Sequence, residues 1–124
     1  MKKVLVIEDN EDNMRLITYA LRRAGYEVIP AGTGEEGVDL AIRETPFIIV
    51  IDINLPGIDG IEATRRIRNS KSNGNIPIIA ITSYAMYGDS DRILEAGCTA
   101  YFEKPINPST IVKDLHKAIG LKDE

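Results

Sequence analysis

Five polar residues stand where apolar runs stop. Glu8 and Asp9 follow the run Val4–Ile7, Asp52 follows Phe47–Ile51, Thr82 follows Ile78–Ile81, and Lys104 comes two residues after Phe102. A carboxylate costs several kcal/mol to bury without a partner. A strand that runs into Asp52, with a Leu55-Pro56-Gly57 turn close behind, therefore needs something at its end that stabilises negative charge. Three carboxylates brought together repel one another and in part hold protons. A divalent cation removes that repulsion, and Mg2+ takes a few carboxylates together with waters and a phosphate oxygen. A lysine and a threonine hydroxyl add a point charge and a hydrogen-bond donor, which completes a clamp for phosphate. On this reading Asp52 is exposed at the mouth of its strand. Its carboxylate can attack phosphorus and become an aspartyl phosphate, with the metal and the cations supplying the charge neutralisation that phosphoryl transfer needs.

These groups work together only if the chain brings them to one edge. Short apolar runs at Val4–Ile7, Val28–Ala31, Phe47–Ile51, Ile78–Ile81 and Ala100–Phe102 alternate with amphipathic segments. Runs without polar alternation suit central parallel strands covered on both faces. Between them Met14, Ile17 and Leu21 have helical spacing, as do Val38, Leu40, Ala41 and Ile42, then Ile58, Ile61 and Ile67. Ile93 and Leu94 mark a fourth helix, and Ile111, Leu115 and Ile119 a fifth. Gly25 after Arg22-Arg23 reads as a helix C-terminus. Asn73-Gly74 and Pro77 separate the third helix from the fourth strand, and Asn107-Pro108 puts a proline at the first position of the last helix. Arg65, Arg66 and Arg68 read as a solvated helix face. The pattern predicts five βα units in one α/β domain spanning residues 1–124, without repeat or linker and without room for an output domain. Right-handed crossovers turn such a chain into an open, doubly wound parallel sheet with helices on both faces. Ligands of such sheets bind beyond the carboxyl ends of the strands, which is where all five polar residues fall.

The stretches "VLVIEDN", "DINLPGIDG", "IIAITSYA" and "YFEKPI" resemble, in order and spacing over nearly the whole chain, the receiver domain of bacterial two-component response regulators. The resemblance implies a flavodoxin-like (CheY-like) (βα)5 fold with strand order 2-1-3-4-5. It implies that Asp52 accepts a phosphoryl group from a phosphohistidine, on a sensor histidine kinase or a histidine phosphotransfer protein. By the same resemblance Glu8, Asp9, Asp52 and the backbone carbonyl of Asn54 hold Mg2+, Lys104 binds the phosphoryl group, and Thr82 with Tyr101 forms the switch. The side chains of Asn54 and Tyr84 flank the path of the water that ends the signal, and the Lys104-Pro105 bond is cis. Glu8 stands where many members have aspartate. The stretch "TSYAMYGDSDRILEAG" also resembles stand-alone regulators of the DivK cell-cycle type and receivers fused to hybrid kinases.

Three other readings compete. "GTGEEG" (residues 32–37) satisfies the dinucleotide pattern G-x-G-x-x-G, but Glu35 and Glu36 would stand where a pyrophosphate should lie; a loop with an acidic first helical turn fits better. Haloacid-dehalogenase-like phosphatases also use an aspartate at a strand end, with a second aspartate two residues on as general acid. Here that residue is Asn54, which has no proton to give. A flavodoxin-like scaffold that has lost phosphorylation would have lost some of these groups, and all are present. His116, the single histidine, lies on the last helix away from the acidic edge and reads as a partly exposed surface residue.

Composition bounds the partners and the setting. The 124 residues are 44% hydrophobic and 27% charged, with a formal net charge of −4, which argues against a nucleic-acid partner held by phosphate neutralisation. The lone Cys98 reads as a buried small hydrophobe in a reducing, cytoplasmic setting. The apolar run after "MKK" is too short for a signal peptide, and no segment reaches the length of a membrane span.

Overall fold

The computed structural model describes residues 2–70, 74–83 and 89–121. Five strands alternate with five helices: β1 (Lys3–Ile7), α1 (Glu11–Arg23), β2 (Glu27–Ala31), α2 (Gly34–Glu44), β3 (Ile48–Asp52), α3 (Gly60–Arg68), β4 (Ile78–Thr82), α4 (Asp89–Ala96), β5 (Ala100–Glu103) and α5 (Ile111–Ala118). The strands form one parallel sheet in the order β2-β1-β3-β4-β5, the expected doubly wound arrangement.

Alternation along the strands builds two cores from one sheet. Val4, Val6, Val50, Ile79 and Ile81 face one layer, where Ile17 and Leu21 of α1 meet Ile111 and Leu115 of α5. Leu5, Ile7, Ile49, Ile51 and Ala80 face the other, under Ala41 of α2, Ile61 and Ile67 of α3 and Ile93 of α4. Both faces are covered, so every residue of β3 and β4 is buried, which is why those strands are apolar without a break. Two residues of the helical patterns lie outside this core: Ile42 and Leu94 are exposed.

Local chemistry sets where the elements stop. The Asn10 side chain caps α1 by accepting from the Asn13 N–H at 2.9 Å. At the other end Gly25, at φ +95°, donates to the Arg22 carbonyl while Tyr26 donates to that of Leu21, the paired bonds of a Schellman cap. In β2, Glu27 donates to the Lys2 carbonyl and Ala31 accepts from the Glu8 N–H, the residues flanking β1, so Pro30 turns its missing N–H to the open sheet edge, where proline blunts pairing with other chains. Two helices begin later than their apolar spacing predicts. Asp59 caps α3 by accepting from the Glu62 N–H, which leaves Ile58 in the preceding loop. The segment after Asn107-Pro108 is a turn, with Asn107 Oδ1 accepting from Ser109 N–H, and α5 begins only at Ile111.

Arg68 departs from its sequence reading. Rather than solvated, it is partly buried, donating from Nε to the Gly97 carbonyl at 2.9 Å and from one terminal nitrogen to the carbonyls of Ile76 at 2.6 Å and Gly74 at 3.2 Å. It ties the end of α3 to the approach of β4 and the turn after α4. Arg68→Met keeps much of the stem but leaves two partly buried carbonyls, those of Ile76 and Gly97, without this donor, so it should cost about 1–2 kcal/mol in urea denaturation. Arg65→Met, on the exposed face, should stay within about 0.5 kcal/mol.

Candidate functional site

Strand register assembles the site. Ile7 lies opposite Ile51, Asp52 opposite Ile81, and Thr82 opposite Glu103. The next residue of β1 is therefore Glu8, beside Asp52, and the next residue of β5 is Lys104, beside Thr82. The group gathers at the β1–β3 switch point, where the strand order reverses and α/β sheets open a crevice.

Asp52 does not sit exposed at the strand mouth, as its sequence reading had it. It is 3% exposed, because the loop after β3 folds back over it and Lys104 reaches across. Both carboxylate oxygens have partners: Oδ1 accepts from the Asn54 N–H at 3.0 Å, and Oδ2 pairs with Lys104 Nζ at 3.1 Å. Lys104 also lies 3.8 Å from Glu8 Oε1. Glu8 is equally buried, whereas Asp9 is exposed. Burial pushes the Glu8 carboxyl up to about 7; the neighbouring Asp52 adds to the rise, and the Asn10 N–H on Oε2 and the Lys104 charge oppose it.

A hard divalent cation fits these residues. Oxygens of Glu8, Asp9 and Asp52 lie within 4.8 Å of one another. Glu8 Oε1 is buried without a hydrogen bond, since 3.8 Å to Lys104 is too long for one. A buried carboxylate oxygen without a donor is costly, and a metal ligated by oxygens removes that cost.

Thr82 is buried at the end of β4. A polar cavity of about 370 Å³ beside it is lined by Thr82, Asn54, Asp59 and Arg92. Tyr101, half-buried on β5, packs against the core layer under α2–α4. The Lys104-Pro105 bond is cis. Tyr84 lies outside the described residues. His116 is at the far end of the sheet from the acids, as expected, but is more engaged than a surface histidine: it is half-buried, with Nε2 2.6 Å from the Tyr26 hydroxyl. Cys98 is buried 3.6 Å from the Thr64 hydroxyl, and burial raises its thiol pKa, which fits a small core residue.

The dinucleotide-like segment is explained by packing. Gly34 abuts Ile58 and Gly37 abuts Ile7, while Glu36 turns its own carboxylate onto the Gly32 N–H at 3.1 Å. The chain itself thus takes up a loop amide that a pyrophosphate would need. Sequence reasoning missed these contacts, the Asn10 cap and the Arg68 bonds. A glycine pair three residues apart on one helix was the only signal for the first of them.

Comparison with known proteins places this geometry. The family model described as response regulator receiver domain matches residues 4–116. The polar-differentiation response regulator DivK of Brucella ovis is 39% identical over 119 residues, covering 96% of this chain and 97% of that protein. The receiver domain of the sensor histidine kinase PA1611 from Pseudomonas aeruginosa PAO1, solved with a magnesium ion in its active-site cleft, is 36% identical with a TM-score of 0.87, covering 96% of this chain and 98% of that one. The chemotaxis response regulator CheY4 of Vibrio cholerae is 29% identical with a TM-score of 0.90, covering 95% and 98%. Matches that run through all five strands and span nearly the whole of each relative are matches of common descent: the chain belongs to the response regulator receiver domain family.

Proposed function

We propose that residues 1–124 form a receiver domain that acts as a phosphorylation switch, taking a phosphoryl group onto Asp52 from a sensor histidine kinase or a histidine phosphotransfer protein. The observation that carries this reading is the pairing at Asp52, a buried carboxylate held by an N–H on one oxygen and Lys104 on the other, beside Glu8 and Asp9. An Asp52 oxygen attacks phosphorus in line, the phosphorus–nitrogen bond to the donor histidine breaks, and its electron pair leaves with the imidazole. Glu8, Asp9, Asp52 and the Asn54 carbonyl would hold Mg2+, the ion named for the PA1611 cleft; when bound, it neutralises charge on the transferring group. Once the carboxylate charge is lost to the acyl phosphate, Lys104 pairs with a phosphoryl oxygen instead. Incubation with acetyl phosphate and Mg2+ tests the reading: stoichiometric, self-limiting addition of one phosphoryl group supports it, and multiple turnover of small phosphate esters would replace it with a phosphatase.

The signal leaves through Thr82 and Tyr101. The Thr82 hydroxyl turns towards the phosphoryl group and vacates space that Tyr101 fills, which alters the face formed by α4, β5 and α5, where a downstream protein binds. Phosphorylation acts by stabilising one of two existing states. Thr82→Ala should accept phosphate at close to the wild-type rate yet lose at least about fivefold of the phosphorylation-dependent gain in partner affinity. Isothermal titration with a protein captured from lysate on the phosphorylated wild-type chain measures this; an undiminished gain would make Thr82 an ordinary strand residue. Asn54 orients the hydrolytic water and Tyr84 shields the phosphoryl group from it, together setting the signal's lifetime. The output is by protein binding, in the cytoplasm, without nucleic acid or membrane. No helix among the described residues is long and apolar enough to cross a membrane.

A further inference from the structure

We infer that Gly34, the first residue of α2, is a positioning residue for the metal-binding edge of the site, acting through the loop between β3 and α3. The inference deepens the proposed function and rests on its metal reading.

The loop, residues 53–59, is closed on itself and clamped from outside. Gly60 donates to the Ile53 carbonyl at 3.0 Å, and a Cβ on Gly60 would fall 2.5 Å from the Asp52 carbonyl oxygen and 2.7 Å from Ile53 Cα. Leu55 is buried, Pro56 restricts its own φ, and Gly57 takes φ +73° with the Glu35 carboxylate 3.2–3.4 Å from where its Cβ would be. On the α2 side, a Cβ on Gly34 would lie 2.6 Å from Ile58 Cγ1 and 2.8 Å from the Ile58 carbonyl oxygen. An Ile side chain can rotate; a backbone carbonyl can move only with its loop. The loop is short, and its ends are joined by the Gly60–Ile53 bond, so a push at Ile58 reaches Asn54 instead of being absorbed. Asn54 carries the N–H that holds Asp52 Oδ1 at 3.0 Å. Its carbonyl is the proposed fourth protein ligand. The close approach of α2, possible only without a Cβ at position 34, thus fixes the distance between Asn54 and the carboxylates.

The test compares Gly34→Ala with Gly37→Ala in the full chain. Gly37 lies on the same helix, but its Cβ would meet the Ile7 side chain at 2.4 Å, in the core and away from the loop. Mg2+ affinity is read from amide shifts on titration with the metal alone, and hydrogen exchange at the Asn54 amide is read without metal. Gly34→Ala should weaken Mg2+ by at least about tenfold and speed Asn54 exchange, with the phosphorylation rate at saturating Mg2+ within about twofold of wild type. Gly37→Ala presses on Ile7, outside the loop, and should lose stability without the local speeding of Asn54 exchange that Gly34→Ala shows. Gly34→Ala/Ile58→Ala removes the side-chain clash but not the carbonyl clash, so it should fold better than Gly34→Ala and still bind Mg2+ poorly. That double variant carries the test if Gly34→Ala does not fold. Wild-type Mg2+ affinity in either folded Gly34 variant would overturn the inference. Failure of the wild-type protein to bind Mg2+ would overturn the metal reading instead, and faster Asn54 exchange in Gly34→Ala alone would still support the part played by Gly34.

Discussion

Asp52→Asn should take up no phosphoryl group from acetyl phosphate under conditions in which the wild-type chain takes up one. The amide is isosteric, and its one oxygen can still accept from Lys104 or from the Asn54 N–H, so the fold around it should persist. What it lacks is the anionic oxygen that attacks phosphorus. Neutralising residue 52 also removes one of the influences that raise the Glu8 carboxyl, so Glu8 in this variant should titrate below its wild-type midpoint of about 7. Intact-mass measurement reads the uptake, and side-chain carboxyl shifts read Glu8. Labelling of Asp52→Asn at a rate comparable to wild type would move the acceptor elsewhere.

Glu8→Gln combined with Asp9→Asn should weaken Mg2+ by about a hundredfold or more, since it removes two of the three negative charges that face the ion. The pH dependence follows from Glu8. Its carboxyl is raised to about 7 by burial, so at lower pH the metal must displace a proton. Affinity should therefore fall about tenfold per unit of pH below 7 and level off above it. Glu8→Gln alone should flatten that slope. The same shift acts on folding of the metal-free protein. A raised carboxyl binds its proton more tightly folded than unfolded, so its contribution to stability is full below about 4.5, the ordinary glutamate value, and is lost as pH rises through about 7. Mg2+ should restore that loss at neutral pH. Titration calorimetry from pH 5.5 to 8 measures the slope. A pH-independent affinity would detach Glu8 from the metal, and unchanged affinity in the double variant would remove both acids from the site.

Much of this was legible along the chain because parallel strands covered on both faces must be continuously apolar. Phe47–Ile51 announced β3, and a charge straight after it could only mark its end. Helical spacing found all five helices, and the order of elements, with the handedness of crossovers, left few ways to wind the sheet. Glu8, Asp9, Asp52, Thr82 and Lys104 could be picked out together because all lie at or just past the ends of strands, and in a parallel sheet all strand ends share one edge. What the chain could not reveal are quantities set by contacts between distant residues. Asp52 looked exposed because a strand end is normally open; its burial comes from Lys104, 52 positions away, and from the loop folded over it. Arg68 looked solvated because helical spacing says nothing of the carbonyls offered by Ile76 and Gly97. Ile58 fits the period of α3, yet Asp59 caps that helix first and leaves Ile58 against Gly34. Local sequence chooses the elements and their order. Which carboxylate is buried, which of its oxygens lacks a donor and how closely two backbones approach depend on packing in three dimensions, because burial and distance belong to pairs of residues and not to either one alone.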